Sequence, residues 1–341
     1  IYEYVKTFEK DMTVLLCKKK ANCRLVNNIP KEVTILDEAN LTFLPKSIKN
    51  PVEVENERIA HIKDGVALTK FICWLKKNVG KIPITELSAG EKLYSFRAQQ
   101  ENFIDNSFDP IISYGIHAAI NHYSATPETD IAIEPGNFLL ADTGGHYYEG
   151  TTDTTRTIVM GSVNDEQKKY FTAVLRGMLN LGNAKFRYGC TGVNLDYLAR
   201  GPLWEMGQDF NHGTGHGVGY LLNVHEGPNS FRWRIIQGDN AVLEEGMITS
   251  DEPGYYVENQ YGIRHENLLV CKKAEKTTFG QFMCFEHLTM VPFDLDAVVP
   301  ELMTVQERAL LNNYHTQVYK KISPYLEEEE KEWLKEATRE I

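Results

Sequence analysis

No stretch of this sequence approaches the roughly eighteen apolar residues that a membrane-spanning helix requires, and Ile1 to Glu9 lack the basic-then-apolar pattern of a secretory leader. No membrane-spanning helix is expected within these residues. Cysteine is sparse: the six residues Cys17, Cys23, Cys73, Cys190, Cys271 and Cys284 include no CxxC pair. In a chain this long they read as reduced thiols, so the expected location is cytoplasmic. Positive charge is in deficit. With 36 Lys+Arg against 47 Asp+Glu the formal net charge is −11, which repels nucleic acid and anionic membrane surfaces and leaves small neutral or cationic substrates favoured. Repeats and low-complexity tracts are absent as well.

What is present is 341 residues, 42% of them hydrophobic, enough for a large core. Residues 1–50 mix an apolar run (Met12 to Cys17), a basic cluster (Lys18 to Lys20) and two strand-like pieces around Val33 to Leu36 and Leu41 to Leu44. They are too few to enclose a core and are expected to be a linker or domain remnant. Because the sequence opens on Ile1 and not Met, an upstream part is expected to be absent. The character changes at Asn50-Pro51, where Asn50 suits an N-cap and Ile59, Ile62 and Val66 recur at helical spacing toward Trp74. Further helices are predicted from Thr85, and from Asn164 with Gln167 as its capping-box partner. Between them, Phe108 to Tyr114 and Asn137 to Met160 read as antiparallel strands punctuated by glycine turns. Residues 51–291 therefore read as one α+β domain. After Pro292 a helical segment, 292–341, is predicted from the Thr304/Glu307 capping box and the stripe Leu310, Leu311, Tyr314, Val318. Its acidic run Glu327 to Glu330 is a solvated face.

Four clusters carry chemistry. Asp142 ends an apolar strand and Asp153 follows the Gly144-Gly145 turn, so a hairpin brings together two carboxylates that repel each other unless a cation lies between them. Either alone would be a turn-capping aspartate. The run Asn211-His-Gly-Thr-Gly-His-Gly-Val-Gly219 leaves His212 and His216 on a shaped, side-chain-poor loop, and His225 follows closely. His61, His117, His146, His265, His287 and His315 read as ordinary core or surface histidines. Glu252 sits in the turn set by Pro253-Gly254, and Glu266 lies just ahead of the apolar Leu268, Leu269 and Val270. Each glutamate adjoins a strand expected to be buried, where an unpaired carboxylate is costly. Four carboxylates and one imidazole form an oxygen-rich set suited to Mn²⁺, Co²⁺ or Zn²⁺. Two such ions sharing a water make amide hydrolysis possible without a covalent intermediate.

The order Asp, Asp, His, Glu, Glu within "GTTDTTRT", "HGTGHGVG", "DEPGYY" and "GIRHEN" resembles the pita-bread-fold metallopeptidases, a family that includes methionine aminopeptidase, prolidase and aminopeptidase P. The likeness covers residues 51–291. "FRAQQENFID", "AAINHYSATPET" and "NVHEGP", with the C-terminal segment, are most similar to the cytosolic multi-domain aminopeptidase P branch. The resemblance implies a pita-bread (creatinase/aminopeptidase) fold, two metal ions with Mn²⁺ preferred, a homodimer, and a first fifty residues that close an upstream creatinase-like domain. It also implies roles. Asp142 would chelate one metal, His216 and Glu252 the other, and Asp153 and Glu266 would bridge them, with Glu252 as general base. His122, His212 and His225 would line the substrate pocket, Arg264 would support the bridging carboxylates, and Tyr256 would shape the pocket. The implied reaction is release of an N-terminal residue from peptides with proline second. Prolidase action on Xaa-Pro dipeptides, or a catalytically silent binding module, are the alternatives.

Overall fold

The computed structural model describes residues 1–236 and 238–341, and its contacts divide the chain into Ile1–Lys46 and Ser47–Ile341. The first unit is built on a parallel pair of strands, Thr13–Leu16 and Thr34–Asp37, over a small cluster of Val5, Ile29 and Val33. The strand-like reading of Leu41 to Leu44 does not hold. Phe43–Ser47 is helical, and Leu41 is left exposed, so the apolar run had no buried face to line.

In the second unit, the predicted caps form. Asn50 accepts from the backbone N–H of Val52 and Glu53 and starts the long helix Pro51–Asn78. Thr85 starts Glu86–Arg97, and the Asn164/Gln167 and Thr304/Glu307 boxes start Asp165–Gly182 and Val305–Ile322. The stripe read on the long helix is off in phase at Ile59, which is exposed. From Gly65 to Thr69 every residue is buried. This helix is packed on several sides, so an amphipathic pattern misreads it.

Two antiparallel sheets hold the site. One orders Ile111–Tyr114, Asn137–Thr143 and Thr154–Met160, with Asp142 opposite Thr155. The other orders Ile248–Asp251, Asn267–Thr277, Gly280–His287 and Lys185–Arg187. The Gly144-Gly145 turn is really an excursion, in which Gly145–Tyr147 and Gly150–Thr151 pair as a small hairpin of their own. It still returns the chain antiparallel to Asn137–Thr143. The C-terminal segment shares the main core: Leu311, Tyr314, Val318, Ile322 and Leu334 cluster with Phe171, Val174, Leu175 and Met178 of the helix Asp165–Gly182.

Candidate metal centre

Five segments meet at one cavity of about 760 Å³ whose wall includes Asp142, Asp153, His216, Glu252 and Glu266. Asp142 lies in the strand Asn137–Thr143, and Asp153 just before Thr154–Met160. His216 is on the short strand Gly215–His216, Glu252 follows Ile248–Asp251, and Glu266 precedes Asn267–Thr277. Donor atoms of Asp153, His216 and Glu266 all fall within 4.8 Å of one another. His216 Nε2 is 3.4 Å from Asp153 Oδ2 and 3.4 Å from Glu252 Oε1. His216 Nδ1 lies 3.0 Å from the Gly217 carbonyl; a proton held there leaves Nε2 as the free lone pair facing the carboxylates.

The glycines of this loop permit the convergence. A Cβ at Gly215 would stand 1.8 Å from the Ser250 carbonyl oxygen, and one at Gly217 2.2 Å from that of Glu226. Backbone, rather than substrate, is what these two positions admit.

The electrostatics are those of an acidic cage. Burial pushes the Asp153 carboxyl well above its usual range, and the charges of Asp142 and Glu252 add to it. Glu266 is raised first by burial and then by Asp153, Glu252 and Asp142. Burial also raises Glu252, although His216 and Arg264 pull the other way. A site that drives its own acids toward protonation gains from divalent cations, and four carboxylates with one correctly turned imidazole fit a pair of them. The sign of the pH effect follows. Raised carboxylate pKa values mean that the metal-free site holds protons that must leave on binding, so affinity strengthens as pH rises and weakens as pH falls through those raised values. Mn²⁺ titration calorimetry at pH 6 and pH 8, in buffers of differing ionisation enthalpy, is expected to show tighter binding at pH 8 and net proton release.

The residues around the cage are also placed. His122, His212 and His225 line the same cavity, as does Arg264. The His225 ring meets that of His216 edge-on at 4.2 Å, and burial with the neighbouring His216 and His122 lowers its pKa to about 4. Burial and Arg264 lower His212 to about 3. His212 is committed on both nitrogens, with Nδ1 2.8 Å from the Gly213 carbonyl and Nε2 2.9 Å from the Tyr256 hydroxyl. Tyr256 also accepts from Arg264 Nη1 at 2.8 Å, so it positions His212 from behind. Arg264 Nη2 binds Asp142 at 2.5 Å, and its charge also acts on Asp153, one of the two carboxylates it was expected to support.

Sequence reading did not single out Thr155, whose hydroxyl donates to Glu266 Oε2 at 2.7 Å. It also passed over Ser250, whose Oγ accepts from His216 N at 2.9 Å and donates to Glu252 Oε1 at 3.1 Å. Each lies two residues from a candidate ligand, Asp153 or Glu252. The two-residue period of a strand, which puts such pairs on one side, was the available signal.

Comparison with known proteins shows the family. The chain matches Metallopeptidase family M24 over residues 55–273 and the C-terminal region of peptidase M24 over residues 281–341. It is 43% identical over 303 residues to a "Probable Xaa-Pro aminopeptidase P" of Paracoccidioides brasiliensis, covering 87% of this chain and 49% of that one. It is 38% identical to "Aminopeptidase P1" of Arabidopsis thaliana, covering 93% of this chain and 53% of that one. The chain thus spans about half the length of the curated relatives it matches. Among solved structures, X-prolyl aminopeptidase from Caenorhabditis elegans, described as a cytosolic enzyme with a di-nuclear active site, superposes with a TM-score of 0.91 at 34% identity, covering 100% of this chain and 57% of that one. Prolidase from Pyrococcus furiosus superposes with a TM-score of 0.66 at 26% identity, covering 84% and 78%. The α+β architecture is the pita-bread fold, and the chain belongs to metallopeptidase family M24.

Proposed function

We propose that this chain carries the catalytic centre of a two-metal aminopeptidase that removes the residue ahead of a proline in second position. The observation that carries the reading is the gathering of Asp153, His216 and Glu266 donor atoms within 4.8 Å, in a cavity that Asp142 and Glu252 also line. In this reading Asp142, Asp153, His216, Glu252 and Glu266 hold the two ions, with Mn²⁺ as the proposed metal. Bound there, the pair supplies Lewis acidity toward the scissile carbonyl and an acidified water.

The protein's own groups do the rest. Glu252 Oε1, oriented by the Ser250 hydroxyl, is placed to take the proton of the attacking water and pass it on toward the leaving proline nitrogen. His225 is neutral at pH 7 because its pKa is lowered, so it offers an N–H to the carbonyl oxygen as charge develops there. His122 lines the opening, and the Arg264–Tyr256–His212 chain fixes the wall behind Asp142. The other cavity-wall guanidinium, that of Arg232, is held by Asp239 at 2.5 Å, so its charge is already balanced. A wall that holds, among the described residues, no Lys or Arg without an acidic partner favours a peptide that continues past the proline over a dipeptide whose carboxylate must be capped. A homodimeric, cytoplasmic enzyme belongs to the same proposal; the six free thiols support the second term.

The direct test is incubation with Mn²⁺ and either an Xaa-Pro-Xaa tripeptide or an Xaa-Pro dipeptide. Tripeptide cleavage is expected. Cleavage of the dipeptide alone would make the chain a prolidase, and cleavage of neither would leave a silent binding module. His225→Ala is expected to lower kcat by about 10²–10³ with bound manganese unchanged. An equal loss of metal would move His225 among the ligands.

A further inference from the structure

The candidate ligands are held from outside the cavity by one short stretch that takes no part in it. Ser47 is fully buried and Lys49 nearly so, at 4% exposure. The Lys49 backbone N–H donates to the Gly246 carbonyl at 3.0 Å, beside an antiparallel bridge between Ile48 and Met247. Gly246 has φ +94, and a Cβ there would lie 2.3 Å from the Lys49 carbonyl oxygen, so the two backbones are pressed together. Extended in this way, the Lys49 side chain donates its ammonium to the carbonyl of Val218, two residues beyond His216, and to Ser47 O at 3.3 Å.

The Asn50 cap then turns the chain into the long helix, and its first two turns reach the same places. Asn56 donates to the Tyr220 hydroxyl at 2.9 Å, on the continuation of the His216 loop. Glu57, fully buried, accepts the Thr151 backbone N–H at 3.2 Å, two residues before Asp153. A Cβ at Gly150 would lie 2.4 Å from the Glu57 carboxyl carbon, so that turn is seated directly on the glutamate. Lys49 is also a positive charge acting on Glu57.

Val218 links this grip to a third ligand. Its N–H donates to the Ile248 carbonyl at 3.1 Å, at the start of the strand Ile248–Asp251 that Glu252 directly follows. One segment of eleven residues, 47–57, thus fixes the backbone beside His216, Asp153 and, through Val218, Glu252. None of its side chains lines the metal cavity. The Lys49 ammonium shared between the Val218 and Ser47 carbonyls, and the Glu57 carboxyl accepting the Thr151 N–H, both lie out of water, where such ties are strong and directional.

We propose that the segment Ser47–Glu57 is a brace for the metal centre, with Lys49 as a positioning residue that sets metal affinity through the His216 loop. The proposal rests on the reading of the cavity as a metal site. Replacing a group that orients a ligand from behind weakens metal binding by roughly 10- to 100-fold.

The experiment is Mn²⁺ titration calorimetry on the 341-residue chain, its Lys49→Met variant and its Lys49→Arg variant, with metal-free thermal unfolding alongside. Lys49→Met is expected to bind Mn²⁺ about tenfold or more weakly. Lys49→Arg, which keeps a charged donor, is expected to recover most of the loss. Affinity of folded Lys49→Met within twofold of the unaltered chain overturns the brace. Failure of the unaltered chain to bind Mn²⁺ at all overturns the metal reading instead, which separates the two. Hydrogen exchange on the unaltered chain covers the case in which Lys49→Met does not fold. Amides of 47–57 are expected to gain protection with those of 150–153 and 216–219 when Mn²⁺ is added. Protection of the latter two segments without the first counts against the brace.

Discussion

His216→Ala is expected to abolish metal-dependent turnover while leaving the fold intact. His216 Nε2 faces two carboxylates at 3.4 Å each, with Nδ1 turned to a backbone carbonyl. It lies at the cavity wall, where its ring meets that of His225, and thermal unfolding of the metal-free variant is expected to stay close to that of the unaltered chain. The catalytic loss is of another order. Removing several kcal/mol of Lewis-acid stabilisation corresponds to about a thousandfold in rate, at roughly 1.36 kcal/mol per factor of ten. Tripeptide hydrolysis at saturating Mn²⁺ is the measurement, with metal content by elemental analysis beside it. Turnover near the original level would remove His216 from the ligand set.

The second large effect is expected from Arg156→Met, and it is one of stability. Arg156 is 1% exposed, and its guanidinium donates to the carbonyls of Thr155 at 2.9 Å, Glu266 at 2.6 Å, Val291 at 2.9 Å and Pro292 at 3.2 Å. It also reaches Asn267 Oδ1 at 2.7 Å and the Tyr314 hydroxyl at 3.0 Å, and it stacks 4.0 Å over the Phe293 ring. Methionine fills much of the same volume but leaves several buried acceptors without a donor, each costing about 1–3 kcal/mol. A total loss above about 3 kcal/mol is expected, large for one substitution. Because Arg156 grips the backbone of Glu266 on one side and Val291 and Pro292 on the other, Mn²⁺ affinity is expected to fall with it. Urea unfolding and metal titration check the two halves. An unfolding midpoint unchanged by Arg156→Met would contradict the account.

These two residues mark what the sequence does and does not disclose. His216 was legible because glycine-rich flanks and a histidine have few reasons to occur together outside a shaped site. Asp142, Glu252 and Glu266 stood out because each adjoins a strand whose apolar residues predict burial, and Asp153 because the hairpin after Gly144-Gly145 returns it toward Asp142. Helix starts at Asn50, Thr85, Asn164 and Thr304 were legible because capping is local chemistry. Arg156 was not, because nothing near it in the chain says that its partners other than Thr155 lie more than a hundred residues away. The same holds for Lys49, whose reach to Val218 spans 169 positions, and for the pairing of Arg264 with Asp142. Ile59 misled because periodicity assumes one wet face, and the long helix is enclosed on several sides from Gly65 to Thr69.

The Asp142 strand and the Glu266 turn come from opposite halves of the unit, and the strand Thr154–Met160 joins them, pairing with the first and accepting the Glu266 N–H at Thr155. The cage therefore has no local precursor: no contiguous stretch owns enough donors to capture an ion by itself. Cation uptake reports the completion of assembly rather than seeding it, and a chain still searching for its long-range partners offers scattered acids with little to retain a metal.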